Sequence, residues 1–225
     1  MPGVVSTLTA GIDYLFANLS VFLGLLRRHL TLVFVSEIAA IALAVPLGIV
    51  ATRYDRAKGT ILSVGNVAQT VPPLAIIALS FPILGLGYRP AVVALFVYAL
   101  LPVLTNTIAG IESVDESVID AAKGMGMTRN ERLRRIQLPL ALPIIFAGIR
   151  TSTVINVGTA YLAFFIGGGG LGNWVISGIN LFNMPQVVAG AIPGALLAIT
   201  LDGMLALVER RLGDSATSYQ VAAAG

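Results

Sequence analysis

The apolar residues of this chain come in runs too long for a soluble core. Five stretches, at about 30–52, 60–86, 90–111, 140–166 and 186–208, carry few charges and match the ~20 residues a helix needs to cross ~30 Å of hydrocarbon. In lipid every backbone N–H and C=O must be paired within its own segment, so such runs form helices. Hydrophobic residues make up 56% of the 225 residues and charged ones 11%, against roughly 25% charged in an ordinary soluble domain. Mean hydropathy is +0.90. The expectation is an all-α polytopic membrane protein with one domain. Ile12 to Leu26 is also apolar, but Asp13 and Asn18 interrupt it, and it reads as an interfacial helix.

Charge placement orients these spans. With five crossings, Arg53, Arg56, Lys58, Lys123, Arg129, Arg132, Arg134, Arg135, Arg210 and Arg211 share one side, against Arg27, Arg28 and Arg89 on the other. The basic side is expected to be cytoplasmic, which places the N-terminus outside and the C-terminus inside. The net charge of +3 therefore points to membrane orientation and not to nucleic acid. Residues 1–28 read as an extracytoplasmic or interfacial segment, 29–211 as the transmembrane domain and 212–225 as a loose Ala- and Ser-rich tail. No basic region followed by a short apolar core and cleavage site opens the chain, so no signal peptide is expected. The absence of cysteine excludes disulfides and thiolate metal sites.

One long polar loop, 112–139, separates the third and fourth runs. Ser113-Val114-Asp115-Glu116 and Thr128-Arg129-Asn130-Glu131 have the spacing of capping boxes and predict two short helices. Gly124 and Gly126 suit the tight turn between them. Pro139 and Pro143 allow a new span to begin. No P-loop is present, because Lys58 and Lys123 each precede a glycine and not a Ser or Thr. Gly167 to Gly172 formally fits GxGxxG, yet it ends a membrane span and lacks the acidic residue that dinucleotide binding needs about 20 positions on.

Asp120-Ala121-Ala122, Gly126 and Ile136-Gln137-Leu138-Pro139 are spaced in a way that resembles the EAA loop of ABC importer permeases, with Asp for Glu at 120. Gln69 to Pro73, Tyr98 to Pro102, Ala121 to Met127, Leu138 to Pro143, Gly148 to Arg150 and Ile166 to Gly172 resemble the osmoprotectant branch, which imports glycine betaine, carnitine and choline. The resemblance runs from about His29 to Arg211. It implies the type I ABC importer permease fold: about five transmembrane helices, an N-terminal interfacial helix and cytoplasmic coupling helices. The loop would dock in a cytosolic ABC ATPase through Asp120, Ala121, Ala122, Gly124, Met125, Gly126 and Met127. Arg129, Arg132 and Arg135 would share a face open to acidic residues of the partner or to lipid phosphate.

The resemblance further implies that ATP and Mg are bound by the partner ATPase, with no cofactor and no catalytic residue in this chain. A second permease chain, identical or sister, and an extracytoplasmic solute-binding protein complete the assembly, in the cytoplasmic membrane of a bacterium or archaeon. Gly168, Gly169, Gly170 and Gly172 would lie at the outer mouth, either meeting the binding protein or forming a flexible exit turn. An ABC permease for an amino acid or another small solute is the alternative. An osmotically gated channel, from a different class, would account for small residues and kinks but leaves the 120–139 spacing without a purpose. An intramembrane enzyme would need a nucleophile and base, or paired aspartates at one depth; His29 and Asp202 are far apart in span position.

Polar residues inside the spans are the other candidates. Arg150 lies eleven residues beyond Pro139, about 16 Å along a helix and so near mid-membrane. Unpaired, it would cost at least ~2.5 to 3.5 kcal/mol, and either Glu37 or Asp202 is at a depth to neutralise it in a buried ion pair. The second span carries Pro72-Pro73, with Pro82 near its end, so it is expected to break near mid-membrane. Irregular backbone at that depth is packed in protein or lines water. Asn66, Gln69, Thr70, Pro72, Tyr98, Asn106, Asn156 and Tyr161 are therefore candidates either for a translocation path or for hydrogen bonds between helices. His29, the single histidine, reads as an interfacial cap and offers no metal site. Trp174 reads as the headgroup-level anchor of a short outer helix.

Overall fold

The computed structural model describes residues 3–223, with side chains through Gly213. The described residues form helices joined by short turns, with no strand: α1 (Val4–Ala17), α2 (Leu19–Ala51), α3 (Asp55–Thr70), α4 (Pro73–Leu84), α5 (Tyr88–Glu112), α6 (Glu116–Gly124), α7 (Arg129–Arg132), α8 (Leu138–Thr159), α9 (Gly172–Asn180) and α10 (Met184–Ala223). A π-helical stretch, Leu133–Gln137, joins α7 to α8, and a 3-10 stretch, Ala160–Ile166, extends α8.

Four helical stretches are long and apolar enough to cross a membrane: α2, α5, the continuous run Arg129–Ile166, and α10 from Met184 to Gly213. A fifth crossing is available if α3 and α4, bent by 95° at a short break, count as one span. Chemistry dictates the break. Pro72 and Pro73 supply no N–H to close the last turn of α3, and the residue before a proline is driven out of the helical region. Val71 accordingly sits at φ −79°, ψ 123°, and Pro73 opens α4.

Helix α5 is the most enclosed span and packs against α2, α8, α3 and α4, whereas α10 lies at the edge against α8, α1 and α9. Two apolar clusters fill the bundle. Leu32, Val33, Ile77, Leu95 and Val157 lie in one, Val103, Leu104, Ile108, Ile145 and Ile149 in the other. Lipid supplies no hydrophobic drive between helices, so close packing of small residues does much of the joining. Gly148 on α8 brings its backbone so near α5 that an added Cβ would lie 2.7 Å from the Pro102 carbonyl oxygen.

The ends of the chain depart from expectation. The 12–26 stretch is not one interfacial helix, because it is divided at Asn18 and its second half is the first two turns of α2. Membrane-grade helix thus begins before residue 29. Within the 212–225 stretch read as a loose tail, helical backbone continues to Ala223, and residues 224 and 225 lie outside the described residues.

Candidate functional site

The 112–139 loop forms a projecting handle whose geometry follows from its caps. Helix α5 ends at Glu112, and the Ser113 hydroxyl donates to the Gly110 carbonyl at 2.9 Å instead of capping the next helix. Asp115 takes that role: its carboxylate accepts from the Ser117 N–H at 2.8 Å. Those hydrogen bonds from Ser117 hold the Asp115 carboxyl below its ordinary value. The expected box at 113–116 is therefore a cap two residues later. The second box forms as expected, with Thr128 and Glu131 each bonded to the other's backbone or side chain. Backbone and hydroxyl donation from Thr128 lowers the Glu131 carboxyl as well.

Between the caps, the Met127 N–H donates to the Ala122 carbonyl and the Gly126 N–H to that of Lys123, with Gly126 at φ 79°. This is the six-to-one and five-to-two closure that requires a left-handed residue after the C-cap. Gly124, by contrast, is an ordinary last residue of α6. The second short helix is not separate, for α7 runs through the π-helical stretch straight into α8, so the handle is built rigidly onto a span.

The candidate coupling residues divide into two sets. Asp120, Ala121, Gly124, Gly126 and Arg135 are exposed, and Met125 at the tip is 69% exposed. Asp120 accepts from Lys123 at 2.7 Å. Ala122 is fully buried and Met127 half-buried, facing the protein's own interior. Arg129 is exposed and Arg132 half-buried, and each guanidinium bonds the protein's own backbone. Arg129 donates to the Arg53 carbonyl at 3.0 Å and Arg132 to the Met127 carbonyl at 2.7 Å.

At the broken span, Gln69 donates to the Tyr98 carbonyl at 3.2 Å and the Tyr98 hydroxyl to the Val71 carbonyl at 2.6 Å. These two bonds tie the break to α5 and give the Val71 carbonyl, between the two helices, a partner. Asn66, Thr70 and Pro72 are exposed beside it. The other path candidates are placed elsewhere. Asn106 folds back onto the Pro102 carbonyl of its own helix. Asn156 is fully buried, donating to Glu37 at 3.0 Å, and lines no open surface. Tyr161 donates to the Gly190 carbonyl at 2.9 Å, locking the 3-10 stretch to α10.

The acids also separate. Arg150 binds Asp202, Nε to Oδ1 at 2.5 Å and Nη2 to Oδ2 at 3.1 Å, with Nη1 3.3 Å from Glu209 Oε2. Glu37 takes no part: its carboxylate accepts from Ser152 and Asn156 between α2 and α8. The Arg150 cluster is half-exposed in the single chain and not buried as expected. Glu209 escaped the sequence reading, although its position two turns beyond Asp202, on the same helix face, was the available signal.

The glycine-rich stretch is packed, not a free outer loop. Gly168, Gly170 and Gly172 are buried and Gly169 half-buried, with the Gly168 carbonyl accepting from Arg28 Nε at 2.9 Å. His29, expected at an interface, is fully buried beneath Gly170. Its Nε2 donates to the Val157 carbonyl at 3.1 Å and its Nδ1 accepts from the Leu171 N–H at 3.3 Å, a pair of partners that assigns the neutral ring. Trp174 is likewise inside, 5.4 Å from the Tyr14 ring and 5.9 Å from that of Phe22, and it fastens α9 to α1 and α2.

Residues 44–214, three quarters of the chain, match the family described as the binding-protein-dependent transport system inner membrane component. The chain belongs to this family. The permease is 48% identical over 185 residues to the choline transport system permease protein OpuBB of Bacillus subtilis, covering 82% of this chain and 85% of that one. It is 46% identical to the glycine betaine/carnitine/choline transport system permease protein OpuCB of the same organism, with the same coverage. Against the osmoprotectant import permease protein OsmY of Salmonella typhimurium it is 46% identical, over 90% of this chain and 86% of that one. Its fold is shared with the MetNI methionine ABC transporter in an inward-facing form (TM-score 0.79, 20% identity, covering 86% of this chain and 97% of that one). An amino acid ABC transporter solved with histidines shares it too (TM-score 0.74, 19% identity, 94% and 99%). The permease is a multi-pass membrane transport component with the type I ABC importer permease fold.

Proposed function

We propose that this permease carries quaternary-ammonium compatible solutes, such as glycine betaine, carnitine or choline, into the cell in an assembly driven by a separate ATPase. The observation that carries the reading is the handle: a helix, a glycine reversal and a second helix fused to a membrane span, with Met125 protruding at the tip. A side chain of that kind adapts to an irregular pocket, and exposed Ala121, Gly124 and Gly126 permit close backbone approach. Because α7 continues into α8, force applied at 120–127 reaches the spans without passing through a soft linker. The relatives named for choline, glycine betaine and carnitine support the solute class.

In this reading the handle faces the cytosol, the N-terminus lies outside, and ATP with Mg binds to the partner ATPase alone. A second permease chain and an extracytoplasmic solute-binding protein complete the machine. Exposed Asn66, Thr70 and Pro72 beside the broken span border the path. Two measurements test it. The chain is expected to co-purify with a cytosolic ATPase and to lose it on Gly126→Asp, and one of the three solutes, presented by the cognate binding protein, is expected to stimulate ATP hydrolysis in the reconstituted assembly. Solute-independent hydrolysis with all three, or ion current across a bilayer without ATP, would overturn it.

A further inference from the structure

Beside the handle, where α2 and α5 end, lies a cleft of about 290 Å³ whose walls include Arg53, Arg129, Arg132 and Glu112 over a floor of Ile111 and Leu133. Each guanidinium is steered by one neutral oxygen: Arg53 donates to the Asn130 side chain at 2.7 Å, Arg129 to the Arg53 carbonyl and Arg132 to the Met127 carbonyl. Among the described residues none of the three forms an ion pair. The cleft's own carboxylate is already spent, since both Glu112 oxygens accept from Lys58 at 2.7 Å.

Three like charges converging on one cavity repel each other unless an anion joins them, and a guanidinium has five N–H donors, of which each uses one here. Oxygens on several sides of a single small group meet that geometry best. We propose that this cleft is a phosphate-binding site, filled by the headgroup phosphate of an anionic phospholipid. The floor argues for the lipid source: Ile111 and Leu133 are both buried, at the level where two spans stop and the π-helical lead into α8 begins. A phosphate there would clamp the handle to the end of α2.

The test uses the purified full chain in detergent, so it needs neither ATPase nor solute and stands apart from the transport reading. Short-chain phosphatidylglycerol, inorganic phosphate and short-chain phosphatidylcholine are titrated separately while thermal unfolding and hydrogen exchange over 128–137 are followed. Phosphatidylglycerol is expected to bind and protect this segment, with Arg53→Gln and Arg132→Gln each weakening it about tenfold or more. Arg134→Gln, outside the cleft, leaves binding unchanged. Where an arginine variant misfolds, Glu112→Gln decides: it makes the cleft more positive and is expected to tighten binding. Equal binding of inorganic phosphate with the same arginine dependence supports the site and assigns a soluble source. Binding of neither anion, or binding indifferent to Arg53, Arg132 and Glu112, overturns the proposal. So does loss of ATPase capture in the arginine variants without any anion binding, which would assign the charges to a protein partner.

Discussion

Arg150 on α8 meets Asp202 on α10 edge to edge, with both guanidinium contacts at 3.1 Å or less and Glu209 3.3 Å away on the remaining nitrogen. One cation thus serves two acids on a single helix face. Removing the cation strands two carboxylates, whereas removing Asp202's charge leaves Arg150 its second acid. Arg150→Met is therefore expected to lower the Tm in detergent more than Asp202→Asn, and Arg150→Met with Asp202→Leu is expected to recover part of the loss. Equal effects of the two single changes would contradict the arrangement.

Helix packing gives a sharper contrast. Gly148→Ala drives a methyl against the Pro102 carbonyl and Asn106, where backbone cannot yield, and overpacking of this kind costs about 1–3 kcal/mol. Gly59, mid-helix in α3 with nothing within 4 Å of an added Cβ, should respond oppositely, with Gly59→Ala stabilising by about 0.5–1 kcal/mol. Paired unfolding curves check both signs.

Tyr98→Phe removes the donor to the Val71 carbonyl at the broken span. A stability loss of about 1 kcal/mol is expected, along with a looser break. The chain has no cysteine, so a single cysteine at Thr70 reports cleanly: its labelling by an aqueous thiol reagent should accelerate in the Tyr98→Phe background. An unchanged labelling rate would show that the break is held by other contacts.

Glu131 sets a pH dependence for the handle. Its folded carboxyl lies below the ordinary 4.5 because Thr128 donates to it. The ionised form is the bonded one, so the cap's contribution is complete above 4.5 and fades as pH falls through the lower folded value. The protection of amides 128–132, taken relative to their intrinsic exchange rate at each pH, should therefore fall on acidification below pH 4.5. In Glu131→Ala the protection should be low already at neutral pH and lose that dependence.

Much of the architecture could be read from local chemistry. The broken second span was legible because two adjacent prolines act on the nearest backbone whatever surrounds them, and Gly126 because a short loop between capped helices needs a left-handed residue. The cap at Thr128 was legible for the same reason, while that at Ser113 was misplaced because Asp115 competes two residues later. Relationships across the bundle were not legible. Depth along a helix could not choose between Glu37 and Asp202 for Arg150, since axial position says nothing of which face each helix turns toward its neighbour. Likewise polarity alone could not say that Asn156 bonds Glu37, that Tyr161 bonds the Gly190 carbonyl, or that Arg129 and Arg132 each bond a backbone carbonyl of the protein itself.

The chain's own order of residues decided its membrane class, its approximate spans, the kink and the handle's reversal, because hydrophobic length, proline and glycine act through segments a few turns long. Only the assembled bundle decided which acid meets Arg150, that His29 and the glycine-rich stretch are sealed together, and that three arginines converge on one cleft. Those pairings join residues up to 142 positions apart, and they depend on helix rotation and crossing, which packing among all the spans sets at once.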